Sequence, residues 1–98
     1  MRNICIDIDG VLCAETFGDK KYISRKPIKE NIKNCNYLYK TDWVFLYTAR
    51  DKMHKCETEL WLKKNKVKYH DIFFDKPKFD VLIDDKAYNS FSDWEGEK

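Results

Sequence analysis

Four short runs rich in β-branched and aromatic residues punctuate the chain: Ile4 to Ile8, Trp43 to Tyr47, Ile72 to Phe74, and Val81 to Ile83. Runs of this length and make-up predict buried strands. Between the first and second, Lys26-Pro27-Ile28 leads into Ile28, Ile32, Cys35 and Tyr39, whose spacing is that of a helical stripe with Pro in the first turn. Between the second and third, Met53, Cys56, Leu60 and Val67 form a similar stripe on a segment from about Lys52 to Lys66. Strand and helix therefore alternate, and that order predicts an α/β domain with a mostly parallel sheet and right-handed crossovers. The connection from Asp75 to Asp80 is too short for a full helix. The tail from Asn89 to Lys98 is polar apart from Phe91 and Trp94, which are expected to pin it to the body.

Length and composition narrow the picture. At 98 residues, with 43% hydrophobic positions but only three Gly and two Pro, the chain is expected to form one packed domain over residues 1–98. No run approaches the roughly 18 apolar residues that span a bilayer. The opening residues meet an acid, Asp7, too soon for a signal peptide, so no membrane and a cytoplasmic location are expected. Cys5, Cys13, Cys35 and Cys56 contain no C-x-x-C pair and read as reduced, buried thiols. A net charge of +2 does not argue for nucleic acid. The basic run Lys20, Lys21, Arg25 and Lys26 reads as a solvated loop. The Lys and Tyr residues in Asn36 to Lys40 and in Lys63 to Tyr69 read as ordinary helix faces.

Each apolar run ends in a polar cluster: Asp7 and Asp9, then Thr48-Ala49-Arg50, then Asp75-Lys76, then Asp84-Asp85. In open parallel sheets ligands bind beyond the carboxyl ends of the strands, so the four clusters should converge on one crevice. Asp7 and Asp9 are two apart on a strand, which puts both side chains on one side at about 6.5 to 7 Å along the backbone. Crowding up to four carboxylates would cost several kcal/mol unless a divalent cation neutralised them. Hard oxygen donors suit Mg²⁺ better than zinc. With Lys76 and the Thr48 hydroxyl added, the set describes a phosphoryl site.

These residues resemble the haloacid dehalogenase superfamily of phosphohydrolases. Asp7-Ile8-Asp9-Gly10-Val11 looks like its first motif, Thr48 like the hydroxyl residue of the second, Lys76-Pro77 like the lysine of the third, and Asp84-Asp85 after Val81-Leu82-Ile83 like the acidic pair of the fourth. The stretch Leu46 to Arg50, with Thr58, Trp61, Leu62 and Asn65 beyond it, looks like the capless subgroup that includes small phosphatases associated with surface-polysaccharide genes. The resemblance implies a Rossmann-like three-layer sandwich with a small sheet of about four strands and no cap domain. It implies Mg²⁺ held by Asp7, the Asp9 carbonyl, Asp84 and Asp85, with Gly10 and Arg50 at substrate-contact positions. It also implies that Asp7 attacks phosphorus while Asp9 serves as general acid and then base. Repulsion from Asp7 is expected to raise the pKa of Asp9 and keep it protonated. In the family the stretch after the first motif forms a flap, so residues 13–26 are expected to be a mobile lid. The chain departs from the family in carrying Asp75, not Gly, before Lys76-Pro77.

Plainer roles compete at several positions. Thr48 can cap the following helix, Lys78 can take the place of Lys76, and Arg50 can pair with Asp51 or Glu57. His54 and His70 read as surface or packing residues, and Trp43, Trp61, Phe73, Phe74 and Phe79 as core. The expected substrate is a small phosphorylated metabolite such as a sugar phosphate, with a homo-oligomer as one way to complete the pocket. A polynucleotide 3′-phosphatase and a non-catalytic, metal-binding regulatory module are the alternatives. A phospho-accepting receiver domain is excluded because its acidic pair ends the first strand, whereas here it comes last.

Overall fold

The computed structural model describes residues 1–15 and 21–95. Its elements are β1 (Asn3–Asp7), α1 (Lys29–Tyr39), β2 (Trp43–Tyr47), α2 (Lys55–Lys64), β3 (Asp71–Phe73) and α3 (Phe91–Glu95), with short 3₁₀ turns at Tyr22–Ser24 and Lys52–His54. The strands form one parallel sheet in the order β1-β2-β3, with Ile6 opposite Leu46 and Leu46 opposite Ile72. This is a small α/β fold. Among the described residues no helix is long and apolar enough to cross a membrane.

Alternation along the strands decides what is buried. Ile6 and Ile8, with Val44 and Leu46, point into one core that also takes Ile32, Cys35 and Leu38 from α1 and Trp61 and Leu62 from α2. Both helices therefore feed the core on a single face of the sheet. Cys5, Phe45, Tyr47, Trp43 and Phe73 alternate onto the other face, where they are exposed or half-buried. Trp43 and Phe73 were expected in the core, and this parity is why they are not. Phe79 also is exposed, in the irregular segment after β3. Phe91 and Trp94 pack against the core as expected, and the Arg2 guanidinium lies 5.1 Å from the Trp94 ring centre.

Several local expectations are corrected. Pro27 precedes α1 instead of sitting in its first turn: Ile28 is the N-cap, and Pro27 bridges Cys13. On α2 the buried face is Thr58, Trp61 and Leu62, while Met53, Cys56 and Leu60 are exposed. Thr58, Trp61 and Leu62 also stand at helical spacing, and turning them inward buries the large indole. All four cysteines are free thiols, but Cys5 and Cys56 are exposed. Burial pushes the Cys35 thiol up to about 12.

The run Val81 to Ile83 forms no strand. Its side chains are 73, 55 and 94% exposed. A strand is stable only where its backbone groups find partners, and a parallel neighbour to β3 would need a crossover of roughly a dozen residues. The link from β3 is shorter than that. The sheet has three strands among the described residues, where about four were expected.

Candidate active site

The loop after β1 is shaped by one carbonyl. Ile8 O accepts hydrogen bonds from the backbone N–H groups of Val11, Leu12 and Cys13, at 3.2, 2.9 and 3.2 Å. The turn needs Gly10 in the left-handed region, at φ +89°, which a side chain would strain. Beyond the turn, Ala14 N donates to Lys26 O and Ile28 N to Leu12 O, closing the neck of the segment expected to be a lid. Residues 16–20 of that segment lie outside the described residues. Its described end does not project freely: Trp61 Nε1 donates to Arg25 O at 2.7 Å, so residues 21–26 are tied to α2.

Asp7 closes β1 with a part-exposed carboxylate. Its Oδ1 accepts from Ile8 N at 2.8 Å, and its Oδ2 accepts from Lys76 Nζ at 3.1 Å. Lys76 reaches it from the end of β3, 69 residues away, with its ammonium 5.5 Å from the Tyr47 ring centre and 5.0 Å from that of Phe79. The loop that carries Lys76 is strapped to β2: Thr48 N donates to Phe73 O, Lys76 N to Thr48 O, and Asp75 N to Arg50 O. Asp75 sits at φ 60°, a left-handed position that usually selects Gly and that Asp tolerates better than most residues. Asp75 thus holds the backbone geometry that a glycine would supply.

Asp9 has a different surrounding. The Arg50 guanidinium grips it from two sides, Nε to Oδ2 at 3.0 Å and Nη2 to Oδ1 at 2.8 Å. Arg50 is only 3% exposed. Its Nη1 donates to Thr58 Oγ1 at 3.1 Å, and the guanidinium carbon lies 3.9 Å from the Tyr22 ring centre. The Arg25 guanidinium adds a second positive charge at 3.8 Å from Asp9 Oδ1, and Cys13 Sγ lies 3.4 Å from the same oxygen. Burial pushes the Asp9 carboxyl up, but the Arg50 hydrogen bonds and the charges of Arg50 and Arg25 outweigh it and hold the group below its usual range. The expectation of a raised pKa is therefore not met, because Asp9 faces two guanidinium groups. Cys13 is fully buried, and that burial, with the Asp9 charge, pushes its thiol up to about 12.

Thr48 is fully buried, and its Oγ1 accepts from Arg50 N at 3.1 Å, an i to i+2 turn contact. The following 3₁₀ turn is capped instead by Asp51, whose Oδ1 accepts from Met53 N. Arg50 pairs with neither Asp51 nor Glu57. Arg25, expected in a solvated loop, is nearly buried, and its Nε finds no hydrogen-bond partner among the described residues. Asp84 and Asp85 are not brought to this cluster; both are exposed, and Asp84 Oδ1 accepts from Lys86 N in its own turn. Among the described residues no group of three or more His, Cys, Asp or Glu side chains could hold a metal ion. Tyr22, Arg25 and Cys13 were not singled out as site residues, since nothing in their local pattern points across the fold to Asp9.

The arrangement at the carboxyl ends of β1, β2 and β3 thus joins Asp7 to Lys76, and Asp9 to Arg50 and Arg25, with Thr48 bracing the loop between. No family model matches the chain. No curated protein matches it either. A crystal structure of a structural-genomics target from Vibrio cholerae is similar in fold, with a TM-score of 0.72 at 22% identity, over 90% of this chain and 83% of that one. At that identity the likeness concerns the fold alone.

Proposed function

We propose that the chain is a Mg²⁺-dependent phosphomonoester hydrolase of the haloacid dehalogenase type, with Asp7 as the nucleophile. The observation that carries this reading is the Asp7–Lys76 pair at 3.1 Å, where a part-exposed carboxylate at a strand end meets a lysine from the end of another parallel strand. A phosphoryl group arriving there meets a nucleophilic oxygen and a cation for its own oxygens at once. Asp7 Oδ2 attacks phosphorus and the leaving oxygen departs on the opposite side. Lys76 moves its hydrogen bond from Asp7 to a phosphoryl oxygen as the carboxylate charge is consumed. Asp9, ionised while Arg50 holds it, takes up a proton from solvent when that pairing opens, gives it to the leaving oxygen and later takes one from the hydrolytic water. To do so it exchanges its Arg50 contacts for the substrate, so the observed pairing is a resting arrangement. Thr48 keeps the proton of its hydroxyl free for donation while its oxygen accepts from Arg50 N.

In this reading Val81 to Ile83 settle along the free edge of β1 as a fourth strand, completing the Rossmann-like layering. From β3 that edge lies three strand spacings of about 5 Å away, and the residues between Phe73 and Val81 reach it as extended chain, at about 3.3 Å per residue, without the helical crossover that a neighbour of β3 would need. Asp84 and Asp85 then join Asp7 and the Asp9 carbonyl, a hard-oxygen set suited to Mg²⁺. When bound there, the ion offsets the charge of the carboxylates and of the incoming phosphate. The substrate is a phosphorylated metabolite, and a second protomer is one means of covering it. A non-catalytic module is the rival, favoured by the grip of Arg50 on Asp9. Phosphate release from an aryl phosphate separates the two. We expect activity that EDTA abolishes and Mg²⁺ restores, lost in Asp7→Asn, with Asp84→Asn and Asp85→Asn needing more Mg²⁺. Absence of release from aryl, sugar and nucleotide phosphates alike would support the non-catalytic module.

A further inference from the structure

Two lysine- and tyrosine-bearing stretches that read as ordinary helix faces meet in space. Lys29, Lys33 and Lys40 of α1, or just past its end, line an open groove of about 580 Å³ together with Lys68 from the segment that follows α2. Asn36 fastens the two stretches: its Nδ2 donates to Lys66 O at 2.9 Å and its Oδ1 accepts from Lys68 N at 2.8 Å. All four lysines are exposed, and none has an ion-pair partner among the described residues. No acid lines the groove. The groove thus gathers four positive charges with no carboxylate among its lining residues, a local concentration of one sign that attracts anions. Among these cations stands Tyr37, 66% exposed although its ring is large and apolar.

We infer that this groove is a binding surface for single-stranded nucleic acid. Lysines from Lys29 to Lys40 span about 16 Å of helix, a row able to follow several backbone phosphates. Tyr37 offers the aromatic face on which an unpaired base stacks, a contact that tolerates any sequence. An acidic peptide would satisfy the lysines but leaves the exposed ring without a use, and a duplex keeps its bases inside the stack. The surface is separate from the Asp7 and Asp9 cluster, and the inference stands whether or not that cluster hydrolyses phosphate esters.

The test is fluorescence anisotropy of the full chain with a labelled oligothymidylate across a salt series. Four phosphate contacts predict a slope of log K against log salt of roughly −3, at about −0.7 per contact. Lys33→Glu with Lys40→Glu should weaken binding at low salt by at least tenfold, and Tyr37→Ala by about tenfold with little change of slope. Circular dichroism melting of each variant establishes that it is folded, and Lys33→Gln with Lys40→Gln serves where charge reversal unfolds it. Absence of binding at low salt would overturn the inference. So would unchanged affinity in the lysine variants, or equal binding of duplex DNA or polyglutamate with no effect of Tyr37→Ala.

Discussion

Replacing Arg50 by methionine keeps much of the buried stem but strips Asp9 of its bidentate partner. Removing one member of a buried pair leaves the other charge poorly compensated, here with only Arg25 at 3.8 Å, and the expected loss of stability is about 3 kcal/mol, read by urea denaturation. Asp9→Asn in the same background should recover part of that loss, since the Asp9 charge is then removed, and only part because Arg25 loses its carboxylate partner. If Arg50→Met cost less than about 1 kcal/mol, the pair would be contributing no more than a surface contact. Asp7, Asp9, Thr48 and Lys76 were legible because each ends or follows an apolar run, a local signal. The partner of Arg50 was not legible. Asp51 and Glu57 are its near neighbours in sequence, whereas Asp9 lies 41 residues away, and only the parallel pairing of β1 with β2 brings the two together. Arg25 escaped for the same reason.

The end of α2 shows what an element can reveal by its own geometry. Val67 N donates to Leu62 O and Lys66 N to Lys63 O, the two bonds of a Schellman motif, with Lys66 in the left-handed region at φ 57°. Leu62 and Val67 are both buried at its hydrophobic contact. A side chain at Lys66 carries a conformational cost that glycine avoids, so Lys66→Gly should stabilise the protein by about 1 kcal/mol, seen as a higher Tm. A lower Tm would mean that the lysine stem contributes packing that outweighs the backbone strain. The existence of α2 was legible from its spacing, but its orientation was not. Met53, Cys56 and Leu60 make as good a stripe as Thr58, Trp61 and Leu62, and a polar Thr hides the second one from a search for apolar periodicity. Thr58 is buried because its hydroxyl meets Arg50, which no local pattern announces.

Across the whole molecule, the alternation of strand and helix correctly implied a parallel α/β sheet, because each of the first three apolar runs has a neighbour to pair with. The fourth run shows the limit of that inference: Val81 to Ile83 have the composition of a buried strand, yet burial depends on a free edge and a covering layer that composition does not specify. The same limit holds for Asp84 and Asp85, whose position follows that run. Asp7 and Lys76 do not depend on it, since β1 and β3 already bring them within 3.1 Å. The account therefore stands most squarely on Asp7, and the direct measurement is to mix the protein with an aryl phosphate and Mg²⁺, quench in acid, and map the phosphoryl group by mass spectrometry. The account predicts a hydroxylamine-labile phosphoryl group on Asp7 that is absent from Asp7→Asn and accumulates in Asp9→Asn, where its hydrolysis is slowed. Phosphate release by Asp7→Asn at the rate of the unaltered protein, or a phosphoryl group on any other residue, would contradict it.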